Sequence, residues 1–189
     1  MREISVKSLC KAYDGKEVLR GVSFSAGVGV TRIAGASGVG KTTLLRILMG
    51  LEAPGEGEII APELRWAAVF QENRLLEGMD AAGNLRFALG ADYDGERARD
   101  MLRELGLGDV GTKPVREYSG GMKRRLALAR ALLARSDALA LDEPFTGMDG
   151  DNRAAALACI LRASADRIVL LATHDAVTLP EGTAAVELG

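Results

Sequence analysis

The chain has 189 residues, 48% of them hydrophobic, enough for one domain, or one domain with a small lobe, around a sizeable buried core. A formal net charge of −2 and a pI near 5.6 exclude a globally basic, phosphate-backbone-binding surface and leave only a local basic face open. Cys10 and Cys159 have neither metal-ligand nor redox-motif spacing and read as two reduced thiols of a cytosolic protein.

The first residues, "MREISVKSLCKAYDG", contain no apolar h-region, so no signal peptide is expected. Strand-like pieces follow one another in "EISVKSL", "VLRGVSFSA" and "GVTRIAG", with Asp14-Gly15 as a turn signal. The third runs into a glycine loop and then into "TTLLRILMGL", a helix predicted to stop near Gly50 and Pro54. "GEGEIIAPELRWAAVFQ" resumes strand character through Gln71, and from about Asp80 to Gly108 apolar residues recur at helical spacing. The segment "YSGGMKRRLALARAL" opens as a loop onto a helix, "DALALDEP" is a short apolar strand ending in two carboxylates, "DNRAAALACILRASA" is a helix with an Asp-rich start, and "DRIVLLATHD" is another buried strand. Strands alternating with helices predict a mainly parallel sheet covered on both faces. Apolar runs such as "IVLLA" are far shorter than a bilayer span, so membrane work would need a second chain.

Gly35-Ala36-Ser37-Gly38-Val39-Gly40-Lys41-Thr42 fits the phosphate-loop pattern between a strand and a helix, with Thr43 continuing the first turn. Glycines let backbone N–H groups close around phosphate oxygens, Lys41 neutralises the outer phosphates, and the Thr42 hydroxyl is offered to Mg²⁺. Asp142 closes a hydrophobic strand and is the second candidate Mg²⁺ ligand; Glu143 beside it is placed to orient or deprotonate an attacking water. Ser119, Gly120 and Gly121 make a second anion-binding loop at a helix N-terminus, without a lysine of its own. The basic residues after it, Lys123, Arg124, Arg125 and Arg130, read as a solvated helix face.

The phosphate loop, "YSGGM", "LALDEP" and a downstream "THD" occur in this order over nearly the whole chain, and in this the sequence resembles ATP-binding cassette (ABC) ATPases. The resemblance implies an α/β P-loop NTPase fold with a mainly parallel sheet, an N-terminal antiparallel β portion and a small helical subdomain at about residues 72–132 within a single 1–189 domain. It implies two cassettes paired head to tail, homo- or heteromeric, so that Ser119, Gly120 and Gly121 complete the partner's ATP site. By the same motif matching, Gln71 is the glutamine that senses Mg²⁺, His174 contacts the departing phosphate, Asp149 runs along the dimer seam and Tyr13 stacks on adenine. Without the resemblance, Gln71 is a polar residue after a strand, Tyr13 is also readable as an exposed turn tyrosine, and His174 as a structural histidine.

The signature loop departs from the family's usual form in Tyr118 and Met122, where leucine and glutamine are usual, and the closing helix and strands are expected to be trimmed. The implied protein is an ATP-hydrolysing transporter subunit that uses ATP and Mg²⁺ with a transmembrane permease and, in an importer, a substrate-binding protein. It would sit on the cytoplasmic face of the cell membrane with no nucleic-acid partner. "FQENRLLEGMDAAGNL" is similar to nitrate, sulfonate and taurine importer ATPases. The competing readings are a non-transport ABC-type switch acting on a protein or nucleic acid, and a P-loop small-molecule kinase.

Overall fold

The computed structural model describes residues 2–174 and 177–189. Strands β1 (Glu3–Tyr13) and β2 (Lys16–Gly27) form a hairpin around Asp14-Gly15, and β4 (Glu56–Ile60) joins β1 on its other side in an antiparallel three-stranded sheet. A second, five-stranded sheet runs β5-β6-β7-β3-β8, every neighbouring pair parallel: β3 (Gly29–Ala34), β5 (Trp66–Val69), β6 (Ala138–Asp142), β7 (Ile168–Ala172) and β8 (Ala184–Glu187).

Strands β6 and β7 are buried at every position, as a parallel strand covered on both faces must be. Their alternation divides the core. Leu139, Leu141, Val169 and Leu171 face one apolar cluster with α4 (Gly120–Leu133) and α5 (Gly150–Ala163). Ala138, Ala140, Ile168, Leu170 and Ala172 face the other, against α1 (Lys41–Leu48) and the antiparallel sheet. Helices α2 (Ala81–Leu89) and α3 (Gly95–Glu104) pack on α4, and carboxylates cap both: Asp80 accepts from the Gly83 N–H, Asp94 from those of Glu96 and Arg97. Ser119 caps α4 and Asp149 caps α5 in the same way.

Two features differ from the sequence reading. "GEGEIIAPELRWAAVFQ" is not one strand: Pro62 follows β4 where a ladder would need a donor, and the chain crosses to start β5 in the other sheet. The C-terminal segment, expected to be trimmed of strands, supplies β8, which pairs with β3 and places the Leu188 N–H on the Ala34 carbonyl at 2.9 Å. Among the described residues, no helix is long and apolar enough to cross a membrane.

Candidate active site

In a parallel sheet all strands point the same way, so everything placed just after a strand collects at one edge. That edge carries the phosphate loop after β3, Gln71 beyond β5, Asp142 and Glu143 at the end of β6, and His174 after β7. The carboxylate strand is not the immediate neighbour of the loop strand, because β7 lies between them. Even so, the Thr42 hydroxyl donates to Asp142 Oδ2 at 2.5 Å across that strand.

The loop's shape depends on two glycines. Gly35 has φ +143°, and a Cβ there would lie 2.7 Å from the Leu188 carbonyl oxygen; Gly40 has φ +108°, and its Cβ would meet the Val18 backbone at 2.8 Å. Gly40 is also the N-cap of α1, with no side chain capping the helix and no acid in its first turn. The N–H groups of that turn therefore face the cleft beside the exposed Ala36, Ser37 and Gly38. Val39 packs its side chain against the antiparallel-sheet core.

Lys41 is buried, and its ammonium donates to the Gly35 and Ala36 carbonyls at 2.9 and 3.0 Å, with Glu143 Oε1 3.8 Å away. The other Glu143 oxygen meets His174 twice: Nδ1 lies 2.8 Å from Oε2, and the His174 N–H donates to it at 3.2 Å. One carboxylate thus bridges the lysine and the histidine that the sequence singled out. Asp175, the last residue of the "THD" motif, lies outside the described residues.

Burial pushes the Asp142 carboxyl above its ordinary value; the Thr42 hydroxyl opposes this, while the Glu143 charge adds to it. Asp142 Oδ1 is buried with no hydrogen-bond partner among the described residues. A buried carboxylate oxygen left over beside a hydroxyl suits a hard divalent cation, which takes oxygen ligands. The described residues contain no group of three or more His, Cys, Asp or Glu placed to hold a metal on their own. This also suits Mg²⁺, which is bound by one or two protein oxygens together with substrate phosphates.

These groups line one cleft of about 820 Å³ that reaches from Tyr13 and the phosphate loop to Gly120 and Gly121. At its outer end Tyr13 is 42% exposed; its hydroxyl is bonded to Glu52, and the Lys11 ammonium lies 5.1 Å from the ring centroid. Gln71 is exposed in the cleft, and Thr43 lies beside Thr42 on the first turn of α1.

Residues 19–146 match the family model described as ABC transporter. The chain belongs to the ABC transporter family. An aliphatic sulfonates import ATP-binding protein of Rhizobium johnstonii is 36% identical, the match covering 98% of this chain and 76% of the relative. The protein of the same name from Xanthomonas axonopodis pv. citri is 38% identical over 87% of this chain and 72% of its own. An ABC transporter ATP-binding protein of Pyrococcus furiosus has the same fold, with a TM-score of 0.87 at 24% identity, covering 98% of this chain and 97% of that one. A solved structure of an ATP-binding subunit of an ABC transporter superposes with a TM-score of 0.78 at 26% identity over 90% of this chain and 79% of its own. The chain is an ATP-binding subunit of an ABC transporter, an ATPase coupled to transport.

The basic residues that the sequence reading set aside as a solvated face are engaged within the fold of the ABC ATPase. Arg124 is not solvated: it is 3% exposed, and burial lowers its pKa against the pull of Asp142 and Glu143. Its guanidinium donates to the carbonyls of Asp142, Glu143, Phe70 and Gln71 and to Asn73 Oδ1. Arg125 reaches the Leu105 and Gly106 carbonyls and Asn152, Arg130 reaches those of Asn73 and Arg74, and Lys123 pairs with Glu77. Met122, in the signature loop, packs against the helical core.

Proposed function

We propose that the ABC ATPase binds Mg·ATP between two head-to-tail cassettes and uses its helical lobe, at about residues 72–132, to drive a permease. The observation that carries this is the convergence of Lys41, Thr42, Asp142, Glu143 and His174 on one sheet edge, with a buried Asp142 oxygen left to ligate.

Thr42, Asp142 and Gln71 would hold Mg²⁺, which when bound neutralises charge on the outer phosphates. Residues 35–43 grip the phosphates through N–H groups, and Lys41 exchanges its loop carbonyls for phosphate oxygens. Glu143 orients and deprotonates the attacking water, and His174 steadies that carboxylate and contacts the departing phosphate. Tyr13 stacks on adenine. Ser119, Gly120 and Gly121 of the partner subunit close the site from the other side through hydroxyl and N–H groups, the exposure of Ser119 and Gly120 supporting that use. Asp149, exposed at the start of α5, follows the seam.

The permease docks on the helical lobe, where Leu76, Met79 and Phe87 are exposed apolar residues, Phe87 at 70%. Buried Asn84 braces this loop through the N–H and carbonyl of Leu76. The import-type relatives support uptake of an organosulfonate-type solute delivered by a substrate-binding protein, with this subunit on the cytoplasmic face of the membrane.

Glu143→Gln tests the reading. It should bind ATP, turn it over at least a hundredfold more slowly and accumulate as a dimer by size-exclusion chromatography with light scattering. Hydrolysis at the wild-type rate would remove Glu143 from its role, and a nucleotide-bound form that stays monomeric would remove the head-to-tail site.

A further inference from the structure

Glu143 has φ +50°, a left-handed backbone that a residue with a side chain adopts only when its surroundings impose it. Its peptide is held from both ends. The Glu143 N–H donates to the Ala172 carbonyl at 2.7 Å, and its own carbonyl accepts from Arg124 Nε at 3.0 Å, Arg124 Nη2 at 2.8 Å and Thr146 Oγ1 at 3.0 Å. Arg124 Nη2 also takes the Asp142 carbonyl, and Nη1 takes the Phe70 carbonyl together with Asn73 Oδ1 at 3.2 Å. The planar guanidinium therefore spans the ends of β5 and β6, the two strands that deliver Gln71 and the carboxylate pair.

We propose that Arg124 is a positioning residue for ATP hydrolysis: its buried fork fixes the Glu143 peptide in its left-handed conformation and holds the Gln71 segment in register with it. This rests on Glu143 being the base. Lysine at 124 would keep the charge but lose the planar fork. Among the described residues the hydrogen bonds of Arg124 go to backbone carbonyls and to Asn73, so it orders the frame on which the reacting groups sit. It stands three residues after Gly121, on the first turns of α4, so a shift of the signature helix would be felt by the carboxylate through a rigid connection.

The test compares Arg124→Lys, Arg124→Met, Thr146→Val and Glu143→Gln in the full-length chain, reading kcat and KM for ATP, the ATP dissociation constant and Tm. Arg124→Lys should lower kcat about tenfold and Arg124→Met about a hundredfold, while KM and ATP affinity stay within about threefold. Thr146→Val, at an exposed site, removes the hydroxyl that donates to the same carbonyl and leaves the Thr146 N–H, which also donates to it at 3.3 Å, and should lower kcat a few-fold. In the Glu143→Gln background, adding Arg124→Lys should cost no further single-turnover rate, because the group it positions is already gone. A purely structural arginine would instead depress ATP affinity, Tm and rate together in both backgrounds, and that result overturns the proposal. Should Arg124→Met not fold, the lysine and Thr146 variants decide, and wild-type kcat in both overturns it. Normal turnover in Glu143→Gln alone would strike the assignment of the base, and the proposal with it. An inactive Glu143→Gln beside an unaffected Arg124→Lys and Thr146→Val strikes only the positioning role.

Discussion

Gly121 and Gly147 meet backbone to backbone: a Cβ on Gly121 would lie 2.2 Å from the Gly147 carbonyl oxygen. This contact seats the start of α4 on the loop that follows Asp142 and Glu143. Gly120, one residue earlier, would place its Cβ in open space. Gly121→Ala should therefore cost stability, by about 1–3 kcal/mol from overpacking, whereas Gly120→Ala should be neutral or gain up to about 1 kcal/mol from helix propensity. Chemical denaturation checks the contrast. If the partner's ATP is read by this loop, both variants should lose hydrolysis, and Gly120→Ala would do so with its fold intact.

Asp142 gives a prediction in which stability and activity move in opposite directions. Burial raises its pKa above the ordinary carboxylate value, so folding penalises the ionised form. The penalty is absent below the unfolded value, near 4, and complete once pH exceeds the raised folded value. Asp142→Asn should thus raise Tm at pH 7 and have no such advantage at strongly acid pH, while ATP hydrolysis collapses. Each kcal/mol relieved corresponds to about 2–4 °C in a chain of this size. Scanning calorimetry across pH, with phosphate release at pH 7, measures both.

Asp137 predicts the reverse pH dependence. Hydrogen bonds from the Arg65 side chain and backbone hold its carboxyl well below the usual range at the start of β6, with Arg2 adding its charge. A depressed carboxylate contributes stability above its unfolded pKa and loses it as pH falls through the folded one. Arg65→Met should lower Tm at neutral pH, and the gap to wild type should close as the solution is taken toward pH 2. A gap that does not change with pH would mean that packing, not the ion pair, carries the effect.

Tyr13 offers its ring at the mouth of the cleft while Glu52 engages its hydroxyl. Stacking on a base contributes about 1–3 kcal/mol by alanine substitution in other aromatic platforms. Tyr13→Ala should accordingly raise KM for ATP about tenfold or more with kcat little changed, and Tyr13→Trp should retain the wild-type KM. Because the ring makes no purine-specific hydrogen bond of its own, the loss for GTP should match that for ATP.

Much of the site was legible because its chemistry lies in short contiguous motifs. The phosphate loop fixed its own strand and helix, and the all-apolar β6 announced a buried strand ending at Asp142. Arg124 was not legible as a basic side chain among three others. It lies, however, at i−3, i−4 and i−7 from Ala127, Leu128 and Ala131, all buried, so the helical phase of α4 already placed it on an inward face. Glu143's left-handed backbone and the Lys41–Glu143–His174 contact arise from strands far apart in sequence and leave no local pattern. Strand β8 was missed because "TAAVE" has no alternation of its own and becomes a strand by pairing with β3.

Arg124 donates hydrogen bonds to the main-chain carbonyls at 70, 71, 142 and 143 and to none of those residues' side chains. The bracket is consequently bonded to the frame and feels the two carboxylates only through their charge. Exchanging the reactive groups should leave the skeleton beneath them undisturbed, so chemically silenced versions of this ATPase ought to keep native architecture and serve as faithful traps of its loaded state.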